Sequence, residues 1–274
     1  MFLVTGATGN TGSALVRELT AKGAPVRALV RRPDADLPPG AQAVTGDLND
    51  PGSLGAALDG VRGLFLLPGY ADMAGLLTRA REAGVEHVVL LSGGSAALED
   101  LTNAVSRYMT LSERAVRDSG LTWTMLRPRA FMSNALRWLP QLQAGDEVRV
   151  PFPDVASACV DPRDIAAVAA EALTGDGHQG RVYDLTGPES LLPADQVAVL
   201  ARVLGRPLRC VGLSDEEARA EMEAGMPAEY VEAFFRFNRG GELDESQVHE
   251  DVAKVTGRPA RTFEQWATDH RDRF

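Results

Sequence analysis

The sequence predicts an α/β protein whose parallel sheet is doubly wound, with helices on both faces. Unbroken apolar runs such as Gly63-Leu-Phe-Leu-Leu67 are typical of strands that are buried on both faces. Segments with helical apolar spacing separate these runs along the first half of the chain. Alternation of this kind, joined by right-handed crossovers, gives a doubly wound parallel sheet.

Turn and capping residues set the boundaries of the predicted elements. Asp50 before a proline marks a helix start, and Gly84 and Gly120 each follow the last turn of a helix. Arg127-Pro128 is expected to stop the sixth strand. The predicted strands are 2–4, 25–30, 41–45, 63–67, 87–92 and 121–126, and the predicted helices are 13–19, 52–58, 73–83 and 101–118.

The alternation is less regular after residue 130. Asp161 and Asp164 are interpreted as helix-capping residues without a chemical role. We expect a core of residues 1–130 and a mixed region, residues 131–274, that completes the sheet and forms a smaller C-terminal part beside a cleft. Its predicted helices are 131–142, 161–173, 196–204, 215–223 and 228–237, and its predicted strands are 148–152, 158–160 and 181–186.

A glycine-rich turn between the first strand and the first helix carries the strongest functional signal. Gly6, Gly9 and Gly12 are separated by two residues each and directly follow the apolar first strand. Gly6 permits a sharp turn, Gly9 lets the backbone approach a phosphate, and Gly12 lets the helix pack closely on the strand. Free N–H groups and the positive dipole end at the helix start favour a pyrophosphate. The turn therefore predicts a dinucleotide site.

The residues after the second and third strands bear on the choice of cofactor. Arg31 and Arg32 follow the second strand, where an acid would bind the ribose 2′-hydroxyl of NAD and an arginine suits a 2′-phosphate. NADPH is therefore favoured. The alternative is that one arginine stacks on the adenine of either cofactor, so NAD remains open. Asp47 and Leu48 stand where they would flank the adenine, although Asp47 is equally a turn-forming residue.

Composition restricts the classes of partner. Acidic residues outnumber basic ones, 38 to 28, and the net charge of −10 argues against nucleic acid and anionic membranes. No segment has the length of a membrane span, and the apolar strand at residue 2 leaves no leader. We expect a cytoplasmic protein whose partner is a small-molecule substrate, with homo-oligomerisation left open.

Cysteine and histidine give no catalytic or metal signal. Cys159 and Cys210 lie in apolar contexts and are expected to be buried thiols. The four histidines show no metal-ligand spacing, so no metal site is predicted.

Several short segments occur in a distinctive order and at distinctive spacings over roughly the first 210 residues. They are Val4-Thr-Gly-Ala-Thr-Gly-Asn-Thr-Gly12, Gly46-Asp-Leu48, Ser119-Gly-Leu-Thr-Trp-Thr-Met-Leu-Arg-Pro128 with Phe131-Met-Ser-Asn134, Val160-Asp-Pro-Arg-Asp-Ile165 and Leu185-Thr-Gly-Pro188. Together they resemble the NmrA-like atypical short-chain dehydrogenase/reductase family. The combination is more specific than the glycines alone.

The resemblance implies a Rossmann domain with a small substrate domain and a bound NAD(P). The nicotinamide is expected near the ends of the fourth, fifth and sixth strands. The family contains reductases of quinones, dyes, aromatic ethers and other conjugated compounds, and also redox-sensing regulators that bind the nucleotide without turnover. The cofactor contacts implied are Gly6, Thr8, Gly9, Asn10, Thr11, Gly12, Leu67, Pro68, Ser92, Pro128 and Phe131.

The proton donor of the wider superfamily has no counterpart in the matching helix. That donor is a tyrosine with a lysine four residues later, usually followed by a glutamate. With Glu113 aligned to that glutamate, Val105 and Met109 occupy the tyrosine and lysine positions, and Met109 would face the cofactor. Tyr108 is a candidate donor, but adjacent helical residues differ by about 100° in direction, so a packed or substrate-lining ring is the alternative. The catalytic residue stays unknown.

An acceptor that needs little protonation by the enzyme is therefore predicted. General acid catalysis typically contributes about 10²–10⁴ in rate, and hydride addition to a conjugated acceptor gives a delocalised anion that solvent can protonate. The leading hypothesis is an NAD(P)H-dependent reductase of a small conjugated, aromatic or quinone-like compound, with a tailoring step of specialised metabolism as one setting. The alternative is an NAD(P)-sensing regulatory protein without turnover.

Aromatic and polar side chains are the candidates for the substrate pocket. Arg129 is a candidate contact for an anion or a carbonyl, with a surface ion pair as the alternative. For the C-terminal aromatic cluster, the alternative is a place in the core. The candidate substrate contacts are Tyr70, Tyr108, Arg129, Phe131, Met132, Asn134, Trp138 and Phe152, and the aromatic cluster is Tyr230, Phe234, Phe235 and Phe237.

Overall fold

The computed structural model describes residues 1–274 and contains a central sheet of seven parallel strands. The nine strands of the chain are β1 (Phe2–Val4), β2 (Val26–Val30), β3 (Ala41–Thr45), β4 (Gly63–Leu66), β5 (His87–Leu91), β6 (Thr122–Pro128), β7 (Glu147–Val150), β8 (Arg181–Leu185) and β9 (Arg209–Gly212). The central sheet has the order β3-β2-β1-β4-β5-β6-β8, and β7 and β9 form a separate parallel pair. The order reverses between β1 and β4, so the predicted doubly wound parallel sheet is confirmed.

Eleven helices surround these strands, and four short segments are 3-10 helical. The helices are α1 (Asn10–Ala21), α2 (Gly55–Leu58), α3 (Met73–Glu82), α4 (Ala104–Asp118), α5 (Leu139–Ala144), α6 (Pro162–Thr174), α7 (Pro193–Leu204), α8 (Asp215–Glu223), α9 (Ala228–Asn238), α10 (Asp251–Thr256) and α11 (Phe263–Asp269). The 3-10 segments are Pro51–Leu54, Gly94–Leu98, Met132–Trp138 and Arg271–Arg273. None of the helices combines the length and the apolar character needed to cross a membrane.

The core lies on both faces of the sheet because successive strand residues point to opposite sides. Phe2 and Val4 pack in the cluster that contains the apolar side of α1, whereas Leu3 packs in the cluster that contains the apolar side of α3. On the first face α1 contacts α6, and on the second α3 contacts α4. A third cluster, centred on Trp266, holds the C-terminal part together.

Two predictions about the strands are wrong: where β6 ends, and the existence of a strand at 158–160. Arg127 and Pro128 continue β6, because they pair with Asp184 and Leu185 of β8 while β5 has already ended at its pairing with Leu126. Proline lacks a donor and is tolerated where one side of the strand is unpaired. The predicted strand at 158–160 is not formed: Val160 makes only an isolated bridge to Phe131, and the preceding Ser157 makes another to Leu191.

Candidate nucleotide and substrate site

The glycine turn joins β1 to α1 in the manner needed for phosphate binding. Gly6 has φ +59°, and a Cβ there would lie 2.6 Å from Leu67 Cδ1. Gly9 donates its N–H to the Gly6 carbonyl at 2.9 Å. A Cβ at Gly12 would overlap that same carbonyl oxygen, so Gly12 allows the helix to meet the turn rather than the strand itself. No side chain caps the start of α1. The turn therefore fits a pyrophosphate.

A cavity of about 590 Å³ extends from this turn over the ends of β2 and β3. Arg31 and Arg32 lie in its wall, are exposed, and have no carboxylate within 4 Å. Two unpaired arginines beside the turn fit a ribose 2′-phosphate. The cavity is lined by Gly6, Thr8, Leu29, Val30, Arg31, Arg32, Ala35, Asp36, Gly46, Asp47, Leu48, Asn49, Leu67 and Tyr70.

Asp47 both forms a turn and faces this cavity. Its carboxylate accepts the Asn49 N–H at 2.9 Å, which is the turn-forming alternative seen in the sequence. Burial raises the pKa of Tyr70, as does the charge of Asp47, whereas Arg31 acts in the opposite direction. Tyr70 therefore belongs to the wall of the nucleotide cavity, although the sequence placed it in the substrate pocket.

A buried ionic network lies at the end of β5. Ser92 donates its hydroxyl hydrogen to Glu113 Oε1 at 2.6 Å, and Arg127 reaches both carboxylate oxygens of Glu113 at 2.7 and 2.8 Å. Arg117 binds Glu113 at 2.8 Å. Burial opposes ionisation of Glu113, but hydrogen bonds from Arg127 and Ser92 and the two arginine charges hold the pKa of this carboxyl below its usual value. Ser92 therefore has its proton engaged and only lone pairs free to accept.

Tyr108 and Met109 both lie at the carboxyl edge of the sheet. A Cβ at Gly69, two residues beyond Leu67, would lie 3.3 Å from the Tyr108 ring. A Cβ at Gly93 would lie 3.1 Å from Met109 Cε, so Met109 covers the end of β5. Burial raises the pKa of Tyr108, and so does Tyr230. Tyr108 is therefore a weaker acid than a free tyrosine, and no lysine compensates.

A larger cavity, of about 710 Å³, begins directly after β6 and has a half-apolar wall. Of the sequence candidates, Phe131, Asn134, Trp138 and Phe152 line it. The full lining is Ala130, Phe131, Asn134, Ala135, Arg137, Trp138, Gln141, Arg149, Val150, Pro151, Phe152, Val155, Ser157, Cys159, Pro193, Gln196, Leu213, Ala218, Glu221, Met222, Gly225, Met226, Asn238 and Glu245.

Phe152 has an unusual backbone conformation at this cavity. Its φ is +50°, in the left-handed region that costs a bulky residue of order 1–3 kcal/mol. Its ring packs edge to face on Phe235 at 5.0 Å between centroids, and the Arg239 guanidinium lies over it at 5.3 Å. These contacts hold the ring against the cavity.

Several candidates lie outside the larger cavity. Met132 is 1% exposed in the third core cluster, and Phe235 and Phe237 are also buried. Tyr230 and Phe234 do not line the cavity. Arg129 is mostly buried, approaches Asp184 at 3.4 Å and has an Nε without a hydrogen-bond partner.

Glu245 and Asn238 line the cavity but were not singled out from the sequence. Glu245 lies in the polar run Gly-Gly-Glu-Leu-Asp-Glu-Ser, which has neither helical nor strand periodicity. Its carbonyl accepts the Ala158 N–H at 2.7 Å, which fixes it beside the end of β6. Only tertiary contact reveals this placement.

The fold and the turn define a dinucleotide-binding protein with a separate cavity at the expected nicotinamide end. A family model described as NAD(P)H-binding matches residues 6–176. The chain belongs to this NAD(P)H-binding family. The resemblance seen in the sequence and the prediction of an NAD(P) cofactor are confirmed.

Two characterised relatives match the whole chain. A (4-alkanoyl-5-oxo-2,5-dihydrofuran-3-yl)methyl phosphate reductase of Streptomyces griseus is 42% identical over 280 residues, covering 100% of this chain and 99% of that protein. An NAD(P)H azoreductase of Xenophilus azovorans is 38% identical over 286 residues, covering 100% and 99%. The expectation of an NAD(P)H-dependent oxidoreductase is confirmed.

Solved structures share the architecture. An NADPH-dependent quinone oxidoreductase, QOR2, of Escherichia coli aligns with a TM-score of 0.81 and 25% identity, covering 98% of this chain and 99% of that one. The negative transcriptional regulator NmrA aligns with a TM-score of 0.76 and 21% identity, covering 98% and 94%. The second likeness concerns the fold alone.

Proposed function

We propose that this protein uses NADPH to reduce a small conjugated, aromatic or quinone-like compound bound in the larger cavity. The position of that cavity carries the proposal. Its wall begins at Ala130 and Phe131, directly after the strand end where the nicotinamide is expected. An acceptor held there would lie beside the reactive end of the cofactor, and proximity of this kind is a large part of catalysis.

The residues of the nucleotide side would hold the cofactor in a fixed orientation. The uncapped start of α1 would bind the pyrophosphate, and Arg31 with Arg32 would bind the 2′-phosphate. When bound, NADPH supplies a hydride. Ser92, held by Glu113, would accept a hydrogen bond at the nicotinamide end.

The residues of the substrate side suit a flat acceptor. Phe131, Trp138 and Phe152 offer aromatic surface, while Asn134 and Gln196 offer hydrogen bonds for orientation. The relatives act on an oxo-dihydrofuran phosphate and on azo compounds, which supports an electron-poor acceptor. The absence of a tyrosine–lysine pair fits the same class, and we place the chain among the atypical short-chain dehydrogenases/reductases on that basis.

The division of labour along the chain is part of the proposal. Residues 1–130 would form the Rossmann core, and residues 131–274 would complete its sheet and form the substrate-binding part. The cavity lining supports this, because residues 130–245 supply all of it. A cytoplasmic location and the absence of nucleic-acid partners stay predictions, and homo-oligomerisation stays open.

A turnover assay tests the proposal. Purified protein is mixed with NADPH and, in turn, a quinone, an azo dye and an acyl-substituted unsaturated lactone, while the absorbance of the reduced nicotinamide is followed. Turnover with at least one acceptor is expected. Tight binding of NADPH with no turnover of any acceptor, and different affinities for the oxidised and reduced forms, would instead support a nucleotide sensor.

A further inference from the structure

The segment between α9 and α10, residues 239–250, crosses the carboxyl edge of the sheet and carries Glu245 into the larger cavity. Two backbone contacts fix it. The Ala158 N–H donates to the Glu245 carbonyl at 2.7 Å, and the His249 N–H donates to Thr186 Oγ1 at 2.9 Å. The neighbouring Val160 N–H donates to the Ala130 carbonyl at 2.8 Å, so Glu245 lies close to the end of β6.

The Glu245 carboxyl has no polar partner. It takes part in no hydrogen bond and has no cation within 4 Å, although it lies partly buried in the cavity wall. The other acid in that wall, Glu221, is paired with Arg149 at 2.8 Å. A carboxyl that is partly withdrawn from water and has no polar partner is disfavoured in its ionised form, so the neutral acid is favoured.

The charges around Glu245 agree with this state. Burial raises the pKa of Glu245, and the positive charge of Arg129 only partly opposes the rise. Arg129 also interacts with Asp244 and Asp184, whose negative charges weaken its effect on Glu245. The Cys159 thiol lines the same cavity and stays neutral, because burial raises its pKa to about 11. The carboxyl therefore keeps its proton to a higher pH than a free glutamic acid.

We propose that Glu245 is the proton donor of the reduction, an inference that rests on the proposed function. Hydride addition from the bound cofactor to one end of the acceptor's conjugated system would leave NADP⁺ and displace the electron pair of the attacked π bond. This electron pair would move to the other end of the conjugated system, where it would form a bond to the Glu245 proton. The carboxylate left behind takes a proton from solvent, so each turnover consumes one NADPH and one proton.

Glu245→Gln tests this role because it keeps the shape of the side chain and removes the acid. With an azo dye or an unsaturated lactone, whose reduced anion needs a proton, kcat should fall by on the order of 10²-fold. With a quinone, whose anion is stabilised, the loss should be smaller. Glu245→Asp should recover part of the activity. In the wild type kcat should fall as pH rises through the raised pKa, and in Glu245→Gln it should not.

A matched control and a readout without turnover accompany this test. Glu250→Gln removes an exposed acid of the neighbouring turn and should change nothing. The NADPH dissociation constant should be the same in all variants. Because its folded pKa is raised, Glu245 contributes stability below its unfolded pKa that is lost as pH rises through the folded value. The thermal midpoint of Glu245→Gln should therefore equal or exceed that of the wild type at alkaline pH.

Three outcomes would overturn the inference. Unchanged kcat and pH profile in Glu245→Gln would show that the proton comes from elsewhere. An equal loss with all acceptors, together with weaker NADPH binding and a lower thermal midpoint, would make Glu245 structural. A wild type that binds NADPH but reduces no acceptor would remove the proposed function and this role with it, whereas an active wild type leaves only the role of Glu245 in question.

Discussion

The cavity beside the glycine turn is lined by residues that fall between positions 6 and 70, whereas the lining of the larger cavity comes from residues between positions 130 and 245. The first is made by consecutive strand ends of one sheet, so a short stretch of sequence contains it. The second is made by the 3-10 segment Met132–Trp138, by residues that follow β7 and β9, by α8 and by the segment after α9. If the two cavities hold the cofactor and the acceptor as proposed, the cofactor site is encoded by a short stretch of sequence and the acceptor site by tertiary packing.

The largest effect is expected outside both cavities, at the buried Glu113 network. Arg127→Met should lower the free energy of unfolding by about 3 kcal/mol, because it leaves a buried carboxylate with fewer partners. The folded pKa of Glu113 is lowered, so its contribution is present above its unfolded pKa and is lost as pH falls through the folded value. Denaturant unfolding at several pH values measures both.

Arg114→Met, on the helix α4 that also carries Glu113, is the matched control for Arg127→Met. Arg114 is half exposed and lies 3.9 Å from Glu99, so its loss should alter stability by less than about 0.5 kcal/mol. Equal effects of the two substitutions would contradict a buried network.

The next effect is expected in the glycine turn. Gly12→Val should weaken nucleotide binding by about a hundredfold, equivalent to about 2.8 kcal/mol, because the added Cβ overlaps the Gly6 carbonyl and the turn must move. Isothermal calorimetry with NADPH measures it. Gly55→Ala is the control, since a Cβ there meets nothing within 4 Å, and it should leave binding intact. Normal affinity in Gly12→Val would refute local encoding of the cofactor site.

A smaller effect should separate the two cofactors. Arg31→Ala should weaken NADPH binding about tenfold more than NADH binding, or about 1.4 kcal/mol, through loss of a charge-assisted hydrogen bond. Arg17→Ala, on α1 and outside the cavity, is the control and should affect neither cofactor. Equal losses for both cofactors would favour stacking of Arg31 on the adenine.

The smallest effect should be confined to the larger cavity. Trp138→Ala should raise KM for an aromatic acceptor about fivefold, or about 1 kcal/mol, through loss of ring contact. Trp138→Phe should recover most of this, and neither variant should change the NADPH dissociation constant. A change in NADPH affinity that matched the change in KM would mean that the two cavities are not independent.

The sequence predicted the sheet and the cofactor turn because both depend on local patterns. The six strands up to β6 were placed within two residues, since doubly buried strands are continuous apolar runs. β9 was missed because it is four residues long and pairs only with the short β7. Glu245 could not be predicted, because its surroundings are made by the Ala158 contact and not by its sequence neighbours.

Arg127 illustrates a different limit. Proline after it was taken as a stop, yet the strand continues because its partner is β8, a strand more than fifty residues later in the chain. The same continuation lets Arg127 reach Glu113. The pairing partner of a strand is set by topology, which a local reading of proline does not contain.

The left-handed backbone at Phe152 makes this position a natural place to change the acceptor range. A glycine there would release the conformational strain and, by deleting the ring, enlarge the cavity at the same time. Deleting a buried ring costs stability here as it does elsewhere in a packed wall, but at this position the relief of backbone strain offsets part of that cost. Phe152 is therefore the first position to substitute when larger dyes or lactones are to be admitted, because one change both enlarges the cavity and relieves backbone strain.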